Sequence, residues 1–179
     1  MHQDEFVIRG GRQRGITCLC IGLSILLVLC DQAAKHLAEI NLKQKQDIRP
    51  IPGVLHLHYL YPENRGIAFG MMQGKVLLFA VITGLMMAAI LFVLIRIPKN
   101  RHYLVMTVTC ILLFAGAGGN LIDRVFRGYV IDFIYFILID FPVFNLADVF
   151  VVTGGILLIL SGLLIYKNED DFAFLKIRK

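Results

Sequence analysis

Four stretches of the chain, residues 16–30, 76–95, 102–122 and 149–166, contain no Asp, Glu, Lys or Arg. A bilayer core about 30 Å thick takes roughly 20 mostly apolar residues of helix, at about 1.5 Å rise each. The last three stretches meet or approach that length. The first reaches it by extension, because residues 31–38 contain no helix breaker. The pattern predicts four spans at about residues 16–38, 76–97, 102–122 and 146–166. Between the first two, residues 47–53 gather two prolines and a glycine and predict a turn. Val54-Leu-His-Leu-His-Tyr-Leu-Tyr61 is rich in strand formers, is ended by Pro62 and predicts a strand. An open sheet edge is excluded from lipid, so a small sheet is expected at or above the interface. Arg127-Gly128 predicts a turn, and the apolar residues 133–139 read as either a strand or a half-helix dipping into the interface. The fold class expected is a membrane all-α protein: four transmembrane helices with a small extracytoplasmic β-sheet, one domain over residues 1–179.

Composition agrees. The chain is 58% apolar and 17% charged, with mean hydropathy +0.73, against about 45–50% and about 25% for soluble domains. Disordered, coiled-coil and secreted disulfide-rich classes are excluded. Arg9, Arg12 and Arg14 before the first apolar run resemble a signal peptide, but no small-x-small cleavage site precedes Asp31 and three more runs follow. The run is therefore expected to be a retained span. Cys18, Cys20, Cys30 and Cys110 all lie in apolar runs and read as buried small hydrophobes, not disulfides or metal ligands.

The net charge is +5, and the basic residues follow the membrane pattern, so no nucleic-acid patch is expected. Residues 1–15, 96–101 and 167–179 hold ten of the 18 Lys and Arg. Their density there is about two and a half times that of the other connecting pieces, which predicts both termini on the cytoplasmic side. Residues 31–75 and 123–148 then face outward and carry eight of the 13 acidic residues. Any chemistry is expected near the outer face.

Polar islands interrupt the apolar pattern there. Asp31 and Lys35 are four apart on one helical face, as an ordinary ion pair would be. Asn64-Arg-Gly-Ile-Ala-Phe69 is a glycine turn leading into the second span. Gly116-Ala-Gly-Gly-Asn120 permits close helix contact, and Asn120, Asp123 and Arg124 share one face after it. Asp132 lies in an apolar run, where a lone carboxylate is costly. Asn145 and Asp148 open the fourth span, where an acidic cap is the plain explanation. Asp132 and Asp148 both fall at the outer ends of neighbouring spans. Two carboxylates brought close share a proton, and such a dyad can activate water against a peptide carbonyl without metal or covalent intermediate. No HExxH is present, and His56 and His58, alternating on one strand face, read as surface residues. A small proton-coupled transporter would also use paired intramembrane carboxylates, and a packing or assembly factor would use the glycine-rich span alone.

With these residues assembled, the chain resembles lipoprotein signal peptidase, the bacterial type II signal peptidase. The motifs run in family order over nearly the whole chain: Asp31-Gln-Ala-Ala-Lys35, Asn64-Arg-Gly-Ile-Ala-Phe69, Gly119-Asn-Leu-Ile-Asp-Arg124 with Gly128-Tyr-Val-Ile-Asp-Phe133, and Phe144-Asn-Leu-Ala-Asp148. Ala34 departs from the family's frequent Thr and touches no expected catalytic group. The resemblance implies an aspartic endopeptidase with Asp132 and Asp148 as the catalytic pair and no cofactor or metal. It implies that Asn64, Gly66, Asn120, Asp123, Arg124 and Asn145 line or support the substrate site, and that Asp31 and Lys35 serve its architecture. It further implies a monomer in the bacterial cytoplasmic membrane, acting on diacylglyceryl-modified prolipoproteins and inhibited by globomycin.

Overall fold

The structure, a computed structural model, describes residues 2–64 and 76–176. Its helices are α1 (His2–Leu42), α2 (Val76–Arg96), α3 (Leu104–Phe126) and α4 (Leu146–Leu164). Each contains a segment long and apolar enough to cross a membrane. Many of their large apolar side chains face outward, among them Leu29, Leu77, Leu85, Ile159 and Leu164. In water these would be a liability, and against lipid tails they are the ordinary solvent-facing surface.

Helix α3 is central and packs against all three others. Lipid-exposed helices gain no hydrophobic drive from one another, so close backbone approach by small residues matters more. A Cβ on Gly116 would collide with the Ala147 carbonyl oxygen and the Val151 side chain, so α4 lies directly on α3 there. At the end of the bundle nearest both chain termini, Cys20, Leu94, Ile97, Met106, Cys110, Ile111 and Tyr166 form an apolar core. Tyr103 and Tyr166 stack at 5.9 Å beside it. A 3-10 segment, Glu169–Leu175, docks against them. Arg96 Nε donates to the Phe174 carbonyl at 3.1 Å, and His102 Nε2 lies 2.8 Å from Asp171 Oδ1. Cys18 and Cys30 correct the expectation of four buried cysteines. They are exposed on the outside of the bundle, whereas Cys20 and Cys110 are buried.

At the other end lies an antiparallel sheet in the order β1 (Ile48–Ile51), β2 (Leu55–Leu57), β3 (Ile134–Phe136). The register pairs Ile51 with Leu55 and Leu55 with Phe136, which puts these side chains on one face together with Leu57 and Ile134. That face packs through Leu57 and Ile134 onto Ala38, Leu42, Tyr59, Ile131 and Phe133. Ile48, Ile51 and Phe136 continue it into exposure. The opposite face carries His56 and Tyr135, which are register partners.

Four sequence expectations change here. Residues 48–51, expected in a turn, form an edge strand, where a sheet tolerates a proline such as Pro50. The strand expected at 54–61 is regular only over Leu55–Leu57, although His58 and Leu60 extend its ladder by donating to the carbonyls of Phe133 and Asp132 at 2.9 and 3.0 Å. Residues 133–139 contain both a strand and a 3-10 turn, Ile137–Ile139. His56, expected on the surface, is buried, and His58 is half-exposed and bound to Asp47 Oδ1 at 2.9 Å.

Candidate active site

Asp132 sits on an irregular segment fixed by its neighbours. The Ile131 amide donates to Asp123 Oδ2 at 3.3 Å. The Val130 amide donates to the Asn64 carbonyl at 2.8 Å, and the Phe133 amide to the Phe144 carbonyl at 3.0 Å. The Asp132 side chain is buried, and each of its oxygens accepts one amide hydrogen bond. Asn64 Nδ2 donates to Oδ2 at 2.9 Å, and Asn145 Nδ2 to Oδ1 at 2.7 Å. Burial pushes the Asp132 carboxyl up to about 6, aided by the charge of Asp148 and opposed by the two asparagine hydrogen bonds.

Asp148 approaches from α4. Asn145 is the N-cap of that helix, and its side-chain oxygen accepts from the Asp148 amide at 3.0 Å. Asp148 Oδ2 accepts from the Asn145 amide at 3.1 Å, which completes a reciprocal capping box. The other Asp148 oxygen accepts from Asn120 Nδ2 at 2.8 Å. Asn145 therefore touches both carboxylates, through its side chain to Asp132 and through its backbone to Asp148. The cap explanation for Asp148 is correct and incomplete, because half of the carboxylate is turned to Asn120.

Beneath the two carboxylates lies a buried ionic cluster. Lys35 Nζ is 2.9 Å from Asp31 Oδ2, from Asp123 Oδ2 and from Asn120 Oδ1, so all three of its protons are used. Lys35, Asp31 and Asp123 are fully buried. Asp31 Oδ1 also accepts from the Ala147 amide at 2.8 Å, so α1 supplies a cap to α4. A Cβ on Gly119 would strike the Asp31 carboxylate, so only glycine lets α1 and α3 meet at this depth. The simple surface ion pair is thus replaced by a network spanning α1, α3 and α4. Arg124 Nη1 donates to the Asn120 carbonyl at 3.2 Å, with Asp148, Asp132 and Asp123 within electrostatic reach.

Among the site residues expected from sequence, the structure brings together Asp31, Lys35, Asn64, Asn120, Asp123, Arg124, Asp132, Asn145 and Asp148. Gly66 lies outside the described residues. Two contributors went unnoticed. Gln32 Nε2 donates to the Gly119 carbonyl at 3.0 Å and lies 3.2 Å from Asp31 Oδ2. Arg127 Nη1 reaches Asp123 Oδ1 at 2.6 Å. The spacing of Arg127, one turn after Asp123, was the available signal. A cavity of about 570 Å³ opens beside Asp132, with His58, Glu63, Asn64, Tyr135 and Phe141 among its walls.

Residues 23–164 match the sequence model of the family described as signal peptidase (SPase) II. A lipoprotein signal peptidase of Streptococcus thermophilus (strain CNRZ 1066) is 39% identical over 153 residues, covering 85% of this chain and 95% of the relative. Another, from Caldanaerobacter subterraneus subsp. tengcongensis, is 43% identical over 152 residues, covering 84% and 98%. A third, from Staphylococcus aureus, is 36% identical over 157 residues, covering 84% and 94%. Two solved bacterial membrane enzyme structures superpose with TM-scores of 0.73 and 0.70, at 33% and 36% identity. They cover 90% and 82% of this chain, and 93% and 92% of their own. With this coverage and identity, and with four apolar helices beside a three-stranded sheet, the chain belongs to the signal peptidase II family.

Proposed function

We propose that Asp132 and Asp148 are the catalytic pair of an aspartic endopeptidase that cleaves diacylglyceryl-modified prolipoproteins just before the lipidated cysteine. The observation that carries this reading is Asn145, whose side chain donates to Asp132 at 2.7 Å while its backbone amide donates to Asp148 at 3.1 Å. One short segment thus holds two carboxylates in one electrostatic unit. Burial pushes the Asp132 carboxyl up to about 6, and we assign Asp132 the part of proton donor and Asp148 the part of base.

In the forward step Asp148 takes a proton from water as the water oxygen bonds to the scissile carbonyl carbon. Asp132 donates its proton toward the developing oxyanion. Collapse of the tetrahedral intermediate breaks the C–N bond, the proton on Asp148 passes to the departing amine of the lipidated cysteine, and one hydroxyl of the gem-diol returns its proton to Asp132 as the product carbonyl forms. General acid–base catalysis of this kind contributes roughly 10²–10⁴ in rate. Asn64, Asn120, Asn145 and Arg124 present the polar groups that hold the peptide backbone, and the family motif adds Gly66 by sequence. Globomycin-type cyclic peptides are expected to compete for the adjoining cavity.

The substrate's acyl chains require access from lipid, and the exposed apolar flanks of the helices support lateral entry. The Lys and Arg distribution supports cytoplasmic termini, with the dyad at the outer face of the bacterial cytoplasmic membrane. A monomer suffices, because one chain contributes every group named. A proton-coupled transporter would need carboxylates across the bilayer, whereas those in the described spans, Asp31, Glu39, Asp123 and Asp148, lie toward one end. The test is cleavage by the purified full chain of a diacylglyceryl-modified prolipoprotein, beside its unmodified form, without ATP and with EDTA. Cleavage of the lipidated form alone is expected. Loss of cleavage on adding EDTA contradicts the mechanism, and equal cleavage of both forms contradicts the substrate class.

A further inference from the structure

Arg127, the residue that follows α3, has no place in the motifs that identify the family. Yet it completes the charge balance under the dyad. Two carboxylates, Asp31 and Asp123, are fully buried against one ammonium, Lys35. Two buried anions held by one ammonium call for further positive charge nearby, and Arg124 lies within electrostatic reach of Asp123. Arg127 supplies a positive charge in direct contact with Asp123. Its Nη1 lies 2.6 Å from Asp123 Oδ1 and donates to Gln32 Oε1 at 3.1 Å, and the side chain remains partly exposed.

What hangs on Asp123 is the catalytic segment. Its Oδ2 accepts from Lys35 and from the Ile131 amide, the residue before Asp132, and its Oδ1 from Arg127 and Gln32. These four contacts tie the carboxylate to α1, to the residue after α3 and to the segment before β3. Lys35 in turn fixes which way the Asn120 amide faces. With its oxygen held by Lys35 at 2.9 Å, Asn120 turns its nitrogen to Asp148 at 2.8 Å.

We infer that Arg127 is a positioning residue, which anchors the Asp123 carboxylate and thereby holds Ile131, Lys35 and Asn120 in the arrangement that presents Asp132 and Asp148 to substrate. The inference rests on the dyad proposed above. The charged groups facing this cluster among the described residues are Asp31 and Lys35 from α1, Asp123 and Arg124 from α3, Asp132 before β3, and Asp148 from α4.

The test is the pH profile of kcat/KM on a lipidated prolipoprotein, with thermal midpoints measured in parallel. The dyad needs one ionised carboxylate, so the parent has an acidic limb. Removing the Arg127 charge leaves excess negative charge nearby, which disfavours ionisation of the dyad. Arg127→Gln should move the acidic limb upward by about half a pH unit or more, lowering kcat with KM held within about twofold. Arg127→Lys keeps the charge and should restore the limb. Gln32→Glu adds the same unbalanced charge with Arg127 in place, should shift the limb in the same direction, and carries the test if Arg127→Gln does not fold. Limbs at the parental pH in the folded Arg127→Gln and Gln32→Glu variants overturn the inference, whatever their midpoints. A parent with no acidic limb overturns the dyad itself and so separates the two failures.

Discussion

Several polar side chains at the sheet end of the bundle have more than one task. Asn145 caps α4 and bridges the two carboxylates, and Asp31 pairs with Lys35 and caps α4 from another helix. Asp132 carries a cost in stability. Its folded carboxyl is pushed from 3.8 up to about 6, so between those values the folded state binds more protons than the unfolded one. This group's contribution therefore falls as pH rises from about 4 to about 6, by an amount on the order of 3 kcal/mol. Asp132→Asn should remove that slope, and its thermal midpoint should gain on the parent's across this window. Parallel midpoint curves for the two proteins would contradict the burial argument. Arg124 tests geometry apart from charge. Asp148, Asp132 and Asp123 surround it, and a guanidinium presents a planar fork that an ammonium lacks. Arg124→Lys should lose roughly tenfold or more in kcat/KM, about 1.4 kcal/mol at least. Parental activity would make it a simple interfacial charge.

At the scale of elements, the helices were legible and the sheet was partly so. Charge-free stretches announced all four spans, because lipid tolerates little else. Helix α3 ran past its expected end at 122 to Phe126, since Asp123 and Arg124 are accommodated inside the protein. Strand β1 was hidden by Pro50, Pro52 and Gly53, which read as a turn when the edge position is unknown. The sheet and its 3-10 turn leave Leu138 and Ile139 about 70% exposed. In water that costs about 1.5–3 kcal/mol per side chain, so this corner is expected to rest in the outer leaflet. The chain contains no Trp, so single introduced tryptophans report cleanly. In proteoliposomes, Leu138→Trp should emit to the blue and be quenched by brominated lipid, and Gln46→Trp should not. Equal quenching at both sites, or at neither, contradicts this seating.

For the whole molecule, the central result is the convergence of α1, α3 and α4 on one polar cluster at one end of an otherwise apolar bundle. The sequence displayed the islands but not their wiring. Asp132 and Asp148 could be paired from their positions at neighbouring span ends, whereas Gln32 and Arg127 acquire meaning only when α1 packs on α3 at Gly119. The motif at 64–69 continues beyond the described residues after Asn64. Charge density predicts the orientation. Reporter fusions after Lys99 and at the C-terminus should read cytoplasmic, and a fusion at Gln46 should read external. An external C-terminus would overturn the orientation.

The most direct test of the account is the turnover of Asp132→Asn and Asp148→Asn on a diacylglyceryl-modified prolipoprotein, with each variant shown to be inserted and folded. Asparagine preserves the volume of aspartate but neither accepts a proton from water nor holds a shared one. Each single variant should lose at least about 10²–10⁴ in rate, and the double variant should be little worse than either, because the two groups act as a unit. A tenth or more of parental turnover in either single variant would contradict the assignment of Asp132 and Asp148 as the catalytic dyad.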